Sequence, residues 1–198
     1  MPTRADQKMA TRERLLEAAK QLFIAQGYEE TTTRQLAQAS GVSVGTVFAH
    51  FADKPALLRA ILHDDIETAL ARARKEITGD TDAVSAMAIY SRHLYGEYAA
   101  HPALSRALIA TGLFDLRPFS TQLGQFMEDL AARVRRQQRC SSAQAQVLAG
   151  NLMANYFMVL VQGLSAAEGP SCDPERWCAQ LALLNAPLGQ LDLGALTH

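Results

Sequence analysis

Cysteine, aromatic side chains and alternating, strand-like segments are all scarce in this chain of 198 residues. Cys140, Cys172 and Cys178 are too few and too irregularly spaced for a disulfide framework or a zinc cage. They are expected to act as small buried hydrophobes. Nucleophile elbow, P-loop, Rossmann fingerprint and HExxH pattern are all missing. His63-Asp64-Asp65 is no substitute, because adjacent side chains on a helix point about 100° apart and cannot converge on one ion. We therefore expect no enzyme, no metal and no cofactor. No apolar run approaches the roughly 18 residues that cross a bilayer, and the N-terminal segment lacks the apolar stretch of a secretory signal. A cytoplasmic protein with no membrane partner is expected.

Charge of one sign is lacking too: the net charge is −1. Residues 1–54 carry seven Lys or Arg (Arg4, Lys8, Arg12, Arg14, Lys20, Arg34, Lys54) against six acids, and the remainder carries twelve against fourteen. A nucleic-acid site would have to rest on local placement of a few cations and on helix N-termini, not on a broad basic field.

What the chain does have is 48% hydrophobic residues arranged with helical periodicity almost throughout. Leu15, Ala18, Ala19, Leu22 and Phe23 mark a first helix from about Thr11 to Gln26, with Gly27 as its stop. Thr32 with Gln35 forms a capping box for a short second helix ending near Gly41. Ser43 caps a third over 44–51, and Asp53 a long fourth reaching about residue 77. Further helices are expected near 82–100, 102–112, 118–138, 142–167 and 174–189. The fold class is all-α.

Two short helices joined by Gly41-Val42-Ser43 and preceded by a longer one make a helix-turn-helix. Leu36, Ala37, Val42, Val47 and Phe51 can point inward, which leaves Val44, Gly45, Thr46, Phe48, Ala49 and His50 on a narrow, nearly uncharged outer face. Gly45 costs about 1 kcal/mol of helix stability relative to alanine. A close approach to phosphates or base edges would offset it.

The stretch "LFIAQGYEETTTRQLAQASGVSVGTVFAHFADKPALL" resembles the DNA-binding domain of the TetR family of bacterial transcriptional regulators over some 50 residues within 11–62. The matching features are Gly27-Tyr28, the Thr run, Leu36-Ala37, Gly41-Val42-Ser43, Gly45-Thr46, His50-Phe51 and Lys54. The resemblance implies a helix-turn-helix DNA-binding domain over 1–53 and a ligand-sensing and dimerisation helical domain over 54–198, joined by the long fourth helix. It implies a phosphate contact from Thr33 and a base or backbone contact from Arg34. Val44, Gly45 and Thr46 would lie in the major groove, Phe48 and His50 along its wall, and Lys54 on a phosphate. Val44, Phe48 and Ala49 depart from the residues common at these positions, so readout would lean on thymine methyls, with Arg34 as the main hydrogen-bonding reader. The function implied is a repressor that binds a palindromic double-stranded DNA operator as a homodimer and is released by a small-molecule effector. The competing reading is a helical interaction or ligand-binding protein that has lost specific DNA binding.

In the second half, Met87, Tyr90, Leu94 and Tyr98 share one helix face, and Phe119, Leu123, Phe126, Leu130 and Val134 another. A pocket for a modest apolar ligand would be lined by Met87, Tyr90, Leu94, Phe126 and Tyr156, with His93, Asn151 and Asn155 as polar fixers. Ordinary core is the alternative for each. For the homodimer interface we expect Leu148, Leu152, Val159, Gly163, Trp177, Leu181, Leu184 and Leu188, on the last two helices.

Overall fold

Helices begin where the chain offers a capping side chain and stop where it offers glycine. A computed structural model describes residues 3–112, 120–165 and 172–192, and among these the regular elements are helices only. They are α1 (Arg4–Gln26), α2 (Thr33–Ser40), α3 (Val44–His50), α4 (Lys54–Glu76), α5 (Ala83–Ala100), α6 (Pro102–Gly112), α7 (Ser120–Gln137), α8 (Ser142–Ser165) and α9 (Pro174–Gly189). The all-α class holds. The capping box of Thr32 and Gln35 is present in both directions, as is that of Ser141 and Gln144. Asp53 accepts from the Ala56 amide at 2.6 Å, and Asp173 from the amides of Glu175 and Arg176. Phe119 lies outside the described residues.

The first helix differs from expectation. It starts at Arg4, seven residues before Thr11, on a capping box in which Thr3 and Asp6 bond reciprocally. Residues 4–10 are all exposed. Apolar periodicity cannot reveal a helical turn that packs on nothing; the cap and the good helix formers Ala5, Gln7, Lys8, Met9 and Ala10 sustain it.

The described residues fall into two compact units. One comprises the residues up to Ile66 together with Ala103–Gly112, and α4 runs out of it into the other, which takes up Glu67–Pro102 and the remainder. The core of the first unit is built from Leu15, Ala19 and Phe23 of α1, Leu36 and Ala37 of α2, Val47 and Phe51, and Leu57, Leu58 and Leu62 of α4. Phe23 meets Tyr28 edge-to-face at 5.1 Å.

In the second unit α5 packs on α7, α8 and α9, and α8 on α7 and α9, forming a four-helix bundle. Tyr95 stacks on Tyr156 at 5.1 Å, meets Trp177 edge-on at 5.6 Å, and donates its hydroxyl to the Tyr156 carbonyl at 2.9 Å. One residue therefore ties three helices. Burial holds the Tyr95 phenol well above its ordinary pKa, so it remains a donor at any physiological pH. Contrary to the expectation of no long apolar run, α8 is long and apolar enough by composition to cross a bilayer. Here one side of it is covered by α5, α7 and α9, with Leu148, Leu152, Val159 and Leu160 all buried, while Val147 and Met158 are exposed.

Candidate nucleic-acid interface

The turn between α2 and α3 is closed by a double bond to the end of α2. The Val42 amide donates to the Ala37 carbonyl at 3.0 Å and the Gly41 amide to Gln38 at 3.2 Å. This is a Schellman closure and requires Gly41 in the left-handed region, where φ is +65°. Ser43 then caps α3, accepting from the Thr46 amide at 3.1 Å and bonding its hydroxyl at 2.9 Å. The cap fixes where the first turn of α3 begins and holds Thr46 half-buried beneath it.

Only Val47 of α3 is buried, at 3% exposure. Val44, Gly45, Phe48 and Ala49 face solvent, Phe48 with 54% of its surface exposed. A Cβ built on Gly45 would meet only the Ser43 Oγ, at 3.7 Å, an ordinary contact. Nothing inside the protein calls for glycine there. Thr33 is half-buried at the start of α2, and Arg34 beside it is exposed, with no ion-pair partner among the described residues. His50 ends α3 half-buried, and its carbonyl accepts from Arg12 at 3.5 Å. The Arg12 guanidinium lies 4.4 Å over the Phe51 ring.

Lys54 has partners within its own unit. Its ammonium donates to the carbonyls of Tyr28 (2.8 Å), Glu29 (3.2 Å) and Thr31 (3.4 Å), and sits 4.3 Å over the Tyr28 ring. These three bonds strap the 28–31 loop to the start of α4. Burial, followed by the charges of Glu29 and Asp53, pushes the Tyr28 phenol up to about 12. The strap positions Thr33 and Arg34 from below, since Thr31 and Thr32 lead directly into α2.

The bundle residues expected to line a ligand site divide into two groups. Met87, Tyr90 and Leu94 are buried on the inward face of α5, and Tyr90 meets Phe126 of α7 edge-to-face at 4.5 Å. Tyr156 is buried on α8. The polar members are committed elsewhere: His93 bonds Glu76, and the Asn155 amide donates to Asn185 at 2.9 Å. Asn151 is exposed on the outward strip of α8 with Val147, Ala154 and Met158. It points away from the bundle core.

The residues expected at the interface between two copies have cover within the chain itself. Leu148, Leu152, Val159, Gly163, Trp177 and Leu181 are buried in the chain's own core, because their stripe is the one the bundle uses to close on itself. Leu184 is 37% exposed and Leu188 is half-buried. The large apolar residues left exposed on these two helices are Val147, Met158, Leu183 and Leu184.

With this geometry in view, the relationships to known proteins agree with it. A sequence profile described as "Bacterial regulatory proteins, tetR family" matches residues 15–61. The HTH-type transcriptional repressor Rv1474c of Mycobacterium tuberculosis is 30% identical over 189 residues, covering 93% of this chain and 96% of that protein. Among solved structures, BioQ with its double-stranded DNA operator is 21% identical with a TM-score of 0.61, over 91% of this chain and 98% of that one. Thermus thermophilus FadR in complex with lauroyl-CoA is 22% identical with a TM-score of 0.60, over 87% and 92%. The last two share the fold. A capped helix-turn-helix followed by a helical bundle, and a relative aligned along nearly the whole length, lead to one assignment: this chain is a DNA-binding transcriptional regulator of the TetR family.

Proposed function

We propose that the protein is a cytoplasmic repressor that binds a palindromic operator as a homodimer and is released by a small, largely apolar effector. The observation that carries this reading is Gly45: a helix-weakening residue on an exposed first turn, with room for a side chain that the protein leaves out. A surface from outside has to come close there. The major groove admits a helix, and Val44, Gly45 and Thr46 form the part of α3 narrow enough to enter deeply. Thr33 would take a phosphate, Arg34 a base edge, and Phe48 and His50 the groove wall. The DNA-binding domain would comprise residues 1–53 and the sensing and dimerisation domain 54–198.

Two copies would meet through the outer faces of α8 and α9, where Val147, Met158, Leu183 and Leu184 lie exposed. Such a pairing sets two recognition helices about 34–36 Å apart, or a multiple of that. The effector would enter the bundle between α5, α7 and α8 beside Tyr90, Phe126 and Tyr156, displacing one of the aromatic contacts. Coupling of about 3 kcal/mol would change DNA affinity over 100-fold. The test is selection of duplexes from a randomised library by the full-length protein. Enrichment of a palindrome bound by a dimer is the expected result; recovery of no preferred sequence would remove the reading.

A further inference from the structure

The first two turns of α1 form an exposed overhang of about 10 Å that packs on nothing in its own unit. Two exposed turns with no buried face are marginal unless something uses them. Charge is sorted on this overhang. Arg4, Lys8 and Arg12 recur at four-residue steps and make one stripe. At about 100° per residue, Asp6, Glu13 and Glu17 all fall 100° or more away from every member of it. Asp6 is in addition tied to Thr3 as the cap, which holds its carboxyl below the usual carboxylate range.

The stripe borders a groove of about 400 Å³ lined by Ala5, Lys8, Met9 and Arg12 of α1 and by Ala49 and His50 at the end of α3. Two cations and a histidine line it, and no acid does. Arg12 is held in place by the His50 carbonyl and the Phe51 ring, whereas Arg4 and Lys8 have no ion-pair or hydrogen-bond partner among the described residues. Ala49 and His50 belong to the helix whose other end presents Val44 to Thr46, so the groove continues the surface proposed to meet the duplex.

We infer that the Arg4–Lys8–Arg12 stripe is a second phosphate-binding element, holding the DNA backbone that leaves the major groove past the C-terminal end of α3. The inference rests on the DNA-binding reading above and deepens it by assigning sequence-independent affinity to α1 and sequence choice to α2 and α3. The chain-wide charge hides such an element, because the acids of the same helix cancel its cations in any sum. Phosphate contacts position without specifying, and each neutralised phosphate adds about 0.9 to the slope of log affinity against log salt.

The test uses the full-length protein, the duplex it selects from a randomised library and a scrambled duplex of the same length. In the double variant Arg4→Gln/Lys8→Gln, affinity for both duplexes falls by the same factor and the salt slope shrinks by about 3.6, since a bound dimer carries both residues twice. Raising salt from 50 to 200 mM then weakens the variant about 150-fold less than the unaltered protein. Thermal stability stays unchanged, since both side chains are exposed. An unchanged slope, with the unaltered protein still binding its selected duplex, overturns the assignment of α1 and leaves the reading of α3 standing. A change in the ratio of selected to scrambled affinity overturns it too, as that marks base readout. If the unaltered protein binds neither duplex, the DNA-binding reading falls and this inference falls with it.

Discussion

The Trp177 indole lies against Gly163, so close that a Cβ built on the glycine would clash with three ring atoms, Cε2, Nε1 and Cζ2, the last at 2.6 Å. This contact joins α8 to α9. The same indole receives the edge of Tyr95 from α5. Gly163→Ala is expected to cost about 1–3 kcal/mol by overpacking. In a Trp177→Phe background the same change should cost clearly less, giving a non-additive double-mutant cycle by chemical denaturation. Additive costs would mean that the helices can part without loss.

Gly45→Ala should move stability and binding in opposite directions. The added methyl meets only Ser43 Oγ at 3.7 Å and strengthens α3, by up to about 1 kcal/mol in thermal or denaturant unfolding. Affinity for the selected duplex should fall. A variant that gains stability and keeps its affinity would show that nothing approaches this turn.

Arg34→Ala should relax base preference, not weaken all binding alike. The loss expected from one hydrogen-bonding reader is about 1–3 kcal/mol against the correct base pair and little elsewhere. Repeating the duplex selection with the variant reads this directly, as degeneracy at one position of each half-site.

Lys54→Met separates a strap from a phosphate ligand. Removing the ammonium leaves the carbonyls of Tyr28, Glu29 and Thr31 without their shared donor. Stability should drop by about 1–3 kcal/mol. The slope of duplex affinity against salt should stay as it is in the unaltered protein; a slope lower by about 1.8, one phosphate for each subunit of the dimer, would return Lys54 to the DNA.

Glu76, at the end of α4, carries a pH dependence whose sign follows from its partners. The hydrogen bond from His93, reinforced by Arg92, holds its carboxyl below the usual carboxylate range, against the opposing effect of desolvation. A group depressed in the folded state stabilises above its unfolded pKa, near 4.5, and that contribution disappears as pH falls through the folded value. Unfolding of Glu76→Gln should therefore differ from the unaltered protein at pH 7 and converge with it as the pH falls through the depressed folded value.

Much of the fold was legible in local chemistry. Thr32, Ser43, Asp53, Ser141 and Asp173 each cap the helix that follows them, because a side-chain oxygen near a free amide is a matter of three or four residues. Gly41 marked the tight turn for the same reason: its positive φ is a local requirement. The overhang of α1 is not legible in apolar spacing, because its helicity rests on a cap and propensity, with no apolar face.

What the residues alone determined here is the set of helices and the kind of surface that α3 exposes, since capping, periodicity and the size of a side chain are properties of short stretches. Tertiary structure alone decided which apolar stripe turns inward: Leu148, Leu152, Trp177 and Leu181 look the same in a list whether another helix of the chain or a second copy covers them. It also decided that Lys54 faces three carbonyls contributed by residues more than twenty positions away. Such choices depend on which segments meet in space, and one-dimensional spacing carries no record of distance across a fold.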